Sequence, residues 1–168
     1  MRRPIRIGPL LVGLLLSIAV AVEPIGPRAA EAEPATKKRL VVIVGRDSPV
    51  TDLSRIELNR MFTGSVVYVA KLRLVPFNFP PASRERTSFD GTMLGMSPAE
   101  VGRFWMDRKI RGQSGAPRSL PAAYVVKLVA RLPGAIGYVA EDQLTPAVRA
   151  IRVGGLAYTD ATYPLFLQ

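Results

Sequence analysis

The chain has 168 residues, a formal net charge of +10, no cysteine and no histidine. A single domain is the expectation for this length. Without cysteine the chain has no disulfide, no thiol chemistry and no lipid anchor on a cysteine. Without histidine, a Ser-His-Asp or Cys-His catalytic site cannot form within it, and the commonest metal ligand is missing.

The first 32 residues have the layout of a secretory signal. A basic start over residues 1–6 is followed by an apolar run over residues 7–22 and a small-x-small cleavage site at residues 30–32, with residues 19–21 as a second candidate site. The 16-residue run is short for a helix that crosses about 30 Å of hydrocarbon. Cleavage is therefore favoured over an uncleaved membrane anchor, and we expect a periplasmic or secreted protein.

Positive charge remains after that cleavage. Removal of residues 1–32 takes away four arginines and two glutamates, which leaves a net charge of +8. A positive field attracts anions, although charges scattered over a solvated surface explain the same balance. The basic residues do not form one stripe with interleaved aromatic residues, so nucleic acid is not an expected partner.

A polar leader, residues 33–39, precedes a domain predicted over residues 40–168. Residues 40–44 (LVVIV) are apolar and mostly β-branched, which predicts a strand buried on both faces. After a loop, Thr51 or Asp52 can cap a helix that Gly64 ends. The residues expected on the apolar face of this helix are Leu53, Ile56, Leu58, Met61 and Phe62.

Extended segments are predicted over residues 66–70 and 72–79, followed by a helix over residues 83–94. Ser97 to Glu100 form a strong helix start, with proline at the first helical position. Residues 111–118 form a loop, after which Ser119 caps a last helix whose inner side carries Ala123, Val126, Leu128 and Val129. Strands are predicted over residues 135–139 and 148–153. Alternating strands and helices predict an α/β three-layer sandwich with a mostly parallel central sheet.

Several short motifs occur in a recognisable order over residues 40–153: VVIVG, LSRIELNRMFTG, VPFNFP, TSF, SPAEVGRFW, RGQSGAPR and LPGAIGYV. In this order they resemble the phosphate-binding proteins of phosphate ABC transporters, which have the type II periplasmic binding fold. By that analogy, Pro133 and Gly134 end a helix, and Gly137 lets a buried strand pass close to its neighbours. An ordinary helix-to-strand turn explains these three residues equally well.

The resemblance implies one lobe of that fold. A family member has two lobes that close on the ligand, whereas this chain is about half as long and matches the second lobe with the strands that cross from the first. The family's ligand loop is approximately R-x-D-G-S-G-T-x-x-F, where backbone amides reach phosphate at a helix N-terminus. Aligning residues 87–89 with this loop leaves only Thr87 as a matching residue. Arg84 or Arg86 could replace the arginine, and Glu85 would repel an anion.

The candidate ligand-binding residues are Ser83, Arg84, Arg86, Thr87, Ser88 and Ser48. The first five stand at a predicted helix start, for which an exposed charged first turn is the alternative. Ser48 and Asp47 follow the first strand, where α/β folds place ligand contacts, although turn and capping roles explain them too. A second polar patch could comprise Arg111, Gln113, Ser114 and Arg118, with a surface loop as the alternative. Phe104 and Trp105 are expected in the core.

The resemblance implies an exported solute-binding protein that binds phosphate or a related small oxyanion and serves a membrane transporter or sensor. The alternative is an interaction module without a ligand that docks on a membrane or periplasmic partner. No cofactor, metal or enzymatic activity is expected. Two carboxylate pairs, Asp52 with Glu57 and Asp107 with Glu141, could serve catalysis in principle, but nothing in the sequence brings either pair together.

Overall fold

The computed structural model describes residues 37–113 and 115–168. The predicted signal at residues 1–32, most of the polar leader and Ser114 lie outside the described residues. The helices in chain order are α1 Arg55–Phe62, α2 Arg84–Phe89, α3 Pro98–Ile110 and α4 Ala122–Arg131. A π-helical turn, Asp90–Leu94, continues α2, and a 3₁₀ turn covers Glu141–Gln143. The strands are β1 Leu40–Gly45, β2 Asp52–Leu53, β3 Tyr68–Val69, β4 Leu72–Arg73, β5 Val75–Asn78, β6 Arg118–Ser119, β7 Ala135–Ala140, β8 Val148–Ala150 and β9 Arg152–Val153.

The central sheet has five strands in the order β6-β5-β7-β1-β8. Strand β5 pairs in parallel with β6 and β7, whereas β1 is antiparallel to both β7 and β8. Four of these five strands therefore run in one direction, and β1 runs against them. The predicted mostly parallel sheet is confirmed.

Helices cover both faces of this sheet. On one face, a Cβ at Gly137 of β7 would lie 2.6 Å from Val125 Cγ1 of α4, so Gly137 lets helix and strand pack closely. The next residue, Tyr138, points to the opposite face because side chains alternate along a strand. There its ring stacks on Phe89 of α2, with the ring centroids 4.1 Å apart, and contacts Phe62 of α1. The predicted three-layer sandwich is therefore confirmed.

The start of α1 differs from the prediction. Its N-cap is Ser54, and Asp52 and Leu53 instead form β2, which pairs in parallel with β9. The backbone N–H of Gly154 donates to the Leu53 carbonyl, which keeps Leu53 in a strand conformation. Ile56, predicted on the apolar face, is 66% exposed because at about 3.6 residues per turn it lies on the opposite side of the helix from the buried Leu58. Gly64 lies just past the helix end with φ of 97°, as predicted for a terminating glycine.

The later helices follow the prediction except at the start of α4. Ser83 caps α2, and Phe89 and Met93 are both buried. Ser97 forms a capping box with Glu100 at the start of α3. Ser119, predicted as the cap of the last helix, lies in β6, and Pro121 stands at the N-cap position of α4. The inner side of α4 is consequently formed by Val125 and Val129 rather than by Ala123. Within the described ranges, no helix is both long and apolar enough to cross a bilayer.

The capping box of α1 is expected to make stability depend on pH. Both the backbone N–H and the hydroxyl of Ser54 donate to the Glu57 carboxylate, at 2.8 and 2.7 Å, and these bonds lower the Glu57 pKa from its usual value of 4.5. A carboxylate with a lowered pKa stabilises the fold above its unfolded value, and the contribution is lost as pH falls through the folded pKa. Glu57→Gln should therefore be less stable than wild type at neutral pH, and the difference should vanish below pH 4.5.

Urea unfolding at a series of pH values measures this difference. Glutamine also fits a capping box, so the comparison isolates the charge. In a Ser54→Ala background, which costs about 1 kcal/mol by itself, the pH-dependent part should shrink. An equal dependence on pH in both backgrounds would contradict the assignment to Ser54.

Candidate functional site

A cavity of about 260 Å³ lies between α2, α3 and the segment that precedes α4. Most of its walls are apolar, and its polar residues come from α2, its π-helical continuation and β6. The lining residues are Pro81, Ala82, Arg86, Thr87, Asp90, Pro98, Val101, Gly102, Trp105, Ala116 and Ser119.

Arg86 and Asp90 form a buried ion pair at this cavity. The two side chains are only 8% and 3% exposed, and Arg86 Nε donates to Asp90 Oδ2. Arg86 Nη1 also donates to the Phe79 carbonyl at 3.4 Å. Burial raises the Asp90 pKa, and the Arg86 charge and hydrogen bond partly oppose that rise. A guanidinium has five N–H donors, so Arg86 keeps donors that the Asp90 and Phe79 bonds do not use.

The second oxygen of Asp90 is an unsatisfied acceptor. Asp90 is 2% exposed, and its Oδ1 has no hydrogen-bond partner among the described residues. A buried acceptor without a donor costs about 1–3 kcal/mol. Asp90 Oδ1 is sealed from the cavity, so the polar contribution of the ion pair to the lining comes from Arg86, which keeps unused N–H donors. Thr87 and Ser119 add hydroxyl groups to the same lining.

Two of the six predicted ligand-binding residues, Arg86 and Thr87, line this cavity. Ser83 lies beside it as the cap of α2, where its hydroxyl oxygen accepts the Arg86 backbone N–H at 3.2 Å. Arg84 points away on the exposed surface and its Nε donates to the Gln168 carbonyl at 3.2 Å. Ser88 is buried and its hydroxyl accepts the Gln168 N–H at 3.0 Å. The structure therefore places Arg84 and Ser88 against the end of the chain rather than in the cavity.

Ser48 lies at the other edge of the sheet. It was predicted as a ligand contact because it follows the first strand, but β1 runs against its neighbours, and Val44 pairs with Ile136 at the start of β7. The carboxyl end of β1 is therefore opposite to that of β5, which leads to Ser83. Ser48 lines a larger cavity of about 610 Å³ with Arg46 and Asp47.

The larger cavity at Ser48 is the weaker site in spite of its size. The buried polar residues of the described part of the chain are Asn78, Arg86, Ser88 and Asp90, and none of them lines it. A built site needs polar groups held in a fixed direction by their surroundings. The cavity at Arg86 meets that requirement and the one at Ser48 does not.

Sequence reasoning missed Asp90, Ser119 and the position of Trp105. Asp90 follows Arg86 by four residues, which is the spacing of an ion pair on one helix face, so a signal was present. Ser119 was interpreted as a helix cap. Trp105 was expected in the core, but its ring is half-exposed and lines the cavity.

The other predicted groups have structural contacts. Asp52 accepts the Gly155 backbone N–H, at 3.0 Å from its Oδ2, and Glu57 belongs to the capping box. Asp107 pairs with Arg111 on the surface, and Glu141 accepts the Arg39 backbone N–H. Of the second predicted polar patch, Arg111 forms this surface pair and Arg118 lies in β6. No cluster of three or more potential metal ligands occurs in the described residues.

Comparisons with known proteins identify the class of fold. No family model matches the chain and no curated protein matches it. Solved structures do match. An ABC-type phosphate transport receptor from Vibrio cholerae is 22% identical with a TM-score of 0.58, over 73% of this chain and 48% of its own.

Two further matches are of the same class. A putative phosphate ABC transporter substrate-binding protein with bound phosphate from Clostridium perfringens is 18% identical with a TM-score of 0.63, over 77% of this chain and 53% of its own. PstS from Borrelia burgdorferi is 16% identical with a TM-score of 0.58, over 78% of this chain and 55% of its own.

These matches define the described domain as one lobe of the type II periplasmic binding fold. The resemblance to phosphate ABC transporter binding proteins, predicted from the motifs, is confirmed at the level of the fold. The chain spans about half the length of the solved proteins that it matches. The names of those proteins describe binding proteins or receptors. At identities this low, the similarity shows the fold of this chain alone.

Proposed function

We propose that this protein is an exported solute-binding protein that takes phosphate or a related small oxyanion in the cavity between α2 and α3. The observation that carries the proposal is the buried Arg86, which lines that cavity together with Thr87 and has N–H donors that its bonds to Asp90 and Phe79 do not use. A guanidinium with donors free for a ligand suits the oxygens of an oxyanion. The fold is the one used by the phosphate receptors named above.

Arg86 is held in place for this role. Its Nε bond to Asp90 and its Nη1 bond to the Phe79 carbonyl fix the plane of the guanidinium before any ligand arrives. A group fixed in advance loses little conformational entropy on binding, which favours affinity.

Binding of phosphate tests the proposal. Titration calorimetry and thermal unfolding of the protein should detect phosphate at millimolar concentration, since a ligand that binds only the folded state stabilises it by about 2.7 kcal/mol at a hundredfold excess over Kd. Thr87→Val keeps the shape of the side chain and removes the hydroxyl. We expect it to weaken phosphate binding about tenfold to a hundredfold, as for a lost hydrogen bond to a charged group.

Arg84→Ala is the matched control, because Arg84 is a neighbouring cation that faces away from the cavity. It should leave phosphate binding unchanged. If phosphate and sulfate produce no binding heat and no thermal shift, the proposal is overturned. The ligand-free docking module would then be the remaining function. Equal losses in Thr87→Val and Arg84→Ala would place the anion elsewhere on the basic surface.

Export is the second part of the proposal. It rests on the basic start, the apolar run and the small-x-small site of residues 1–32. Expression of the full sequence in a bacterium, followed by mass measurement of the protein in the periplasm or medium, tests it. Loss of residues 1–32, or of residues 1–21, supports the proposal, and an intact chain that stays in the membrane contradicts it. A membrane transporter or sensor would be the partner of such a protein.

A further inference from the structure

The polar end of the α2–α3 cavity suits a ligand with several acceptor oxygens. Arg86 has N–H donors that its bonds to Asp90 and Phe79 do not use, and Thr87 and Ser119 add hydroxyl groups to the lining. A phosphorus oxyanion supplies several oxygens for these donors.

Charge alone gives such a ligand little affinity here. Arg86 and Asp90 are paired, so the charges at the polar end cancel. Among the residues that the structure describes, no other charged residue lines the cavity. An inorganic anion that depends on charge would therefore bind weakly, and substantial affinity requires contacts along the rest of the lining.

The rest of the lining is an apolar wall built around Trp105. Val101 of α3 and Ala116 lie in the same wall. The indole of Trp105 meets Phe104 edge-on at 5.0 Å, and the Arg108 guanidinium lies over both rings at 5.6 and 5.8 Å from their centroids. These contacts hold the indole in position. A half-exposed tryptophan that faces a cavity is a surface on which an apolar ligand group gains affinity.

The volume leaves room for such a group. A volume of about 260 Å³ is many times the ~10–15 Å³ that a single water molecule needs on the same measure. A tetrahedral oxyanion has five non-hydrogen atoms and fills the smaller part of this space. The remainder adjoins Trp105 and its apolar neighbours, where water would find few hydrogen-bond partners.

We infer that the cavity takes an organic phosphorus oxyanion, a phosphonate or phosphate monoester with one small apolar substituent. The phosphorus group lies beside Arg86 and Thr87, and the substituent lies against Trp105. This inference rests on the proposed function, because it names the class of oxyanion that the same site binds.

A comparison of four probes on the wild-type protein tests the inference by titration calorimetry. The probes are inorganic phosphate, sulfate, phenyl phosphate and phenylphosphonate. We expect phenylphosphonate and phenyl phosphate to bind at least about tenfold more tightly than inorganic phosphate, since burial of an aromatic group adds affinity.

Two variants address the apolar wall from opposite directions. Trp105→Ala removes the wall, and Gly102→Leu fills the cavity, since a Cβ at Gly102 meets no atom within 4 Å. Both should reduce the preference for phenylphosphonate over phosphate by about tenfold. Tyr124→Ala removes an exposed aromatic residue that does not line the cavity and should keep the wild-type preference. Gly102→Leu keeps the test decisive if Trp105→Ala fails to fold.

The outcomes separate the inference from the proposed function. Phosphate that binds as tightly as the phenyl compounds overturns the inference and leaves the proposed function standing. If none of the four probes binds, both fail. A preference for the phenyl compounds that survives in Gly102→Leu would place the substituent outside this cavity and overturn the inference as well.

Discussion

Arg86→Met is expected to lower the free energy of unfolding by about 3–5 kcal/mol at pH 7, the cost of leaving one partner of a buried ion pair alone. Methionine preserves most of the length of the side chain but removes the charge and every donor. Asp90, 2% exposed, would then have neither the Nε bond nor the compensating charge. Urea unfolding followed by circular dichroism measures the loss.

The loss should depend on pH in a defined direction. Burial already raises the Asp90 pKa above its usual value of 3.8, and Arg86 opposes that rise, so removal of Arg86 raises it further. A carboxyl group with a raised pKa stabilises the fold most when it is protonated, and that contribution is lost as pH rises through the folded pKa. Arg86→Met should therefore approach wild-type stability as pH falls towards 3.8 and be least stable at neutral pH.

Two further variants separate the ion pair from its surroundings. Arg86→Met combined with Asp90→Leu should recover most of the loss, because apolar replacement of a whole buried pair is often neutral or stabilising. Arg111→Met breaks an exposed pair with Asp107 at the same four-residue spacing, in which the side chains are 58% and 59% exposed. It should cost at most about 1 kcal/mol. A similar cost for Arg86→Met would contradict the burial of the pair.

The contrast between these two pairs also shows why part of the site could not be predicted. Both have a basic and an acidic residue four positions apart, so sequence spacing alone does not distinguish them. The Arg86–Asp90 pair is buried beside the Phe79 carbonyl, whereas the Arg111–Asp107 pair is exposed. Such burial is set by contacts between distant segments. The sequence identified Arg86 and Thr87 as candidates but could not identify Asp90 as their buried partner.

The direction of β1 in the sheet also could not be predicted from the sequence. The apolar run of β1 predicted a buried strand, and its five predicted residues are all fully buried. Whether a buried strand runs with or against its neighbours is decided by hydrogen bonding to β7 and β8, which are distant in sequence. The sequence does not show this direction, so Ser48 was grouped with residues that lie at the opposite edge of the sheet. Helix starts were predicted correctly where a cap had no competing role, as at Ser97, and wrongly at Asp52, which pairs with β9 instead.

Gly134→Ala is expected to cost about 3–5 kcal/mol, because it combines backbone strain with a clash against rigid backbone. Gly134 has φ of 78°, and a Cβ there would lie 2.2 Å from the Arg73 carbonyl oxygen. That carbonyl cannot move freely, since the N–H of the nearby Val75 donates to the Gly134 carbonyl at 2.9 Å and β5 pairs with β7. Urea unfolding of the variant measures the cost.

Alanine substitutions at Gly112 and Gly137 measure the two causes of that cost, backbone strain and steric clash, separately. Gly112 has φ of 67° and open space around a Cβ, so Gly112→Ala should show the backbone strain alone, about 1–2 kcal/mol. Gly137→Ala should show a clash alone, against Val125 Cγ1 at 2.6 Å, and Val125→Ala should relieve it. No second substitution can relieve Gly134→Ala in the same way, because its obstacle is a main-chain oxygen. If Gly134→Ala costs no more than Gly112→Ala, the turn into β7 is free to move away from β4. The close approach of these two segments would then not be the reason that position 134 requires glycine.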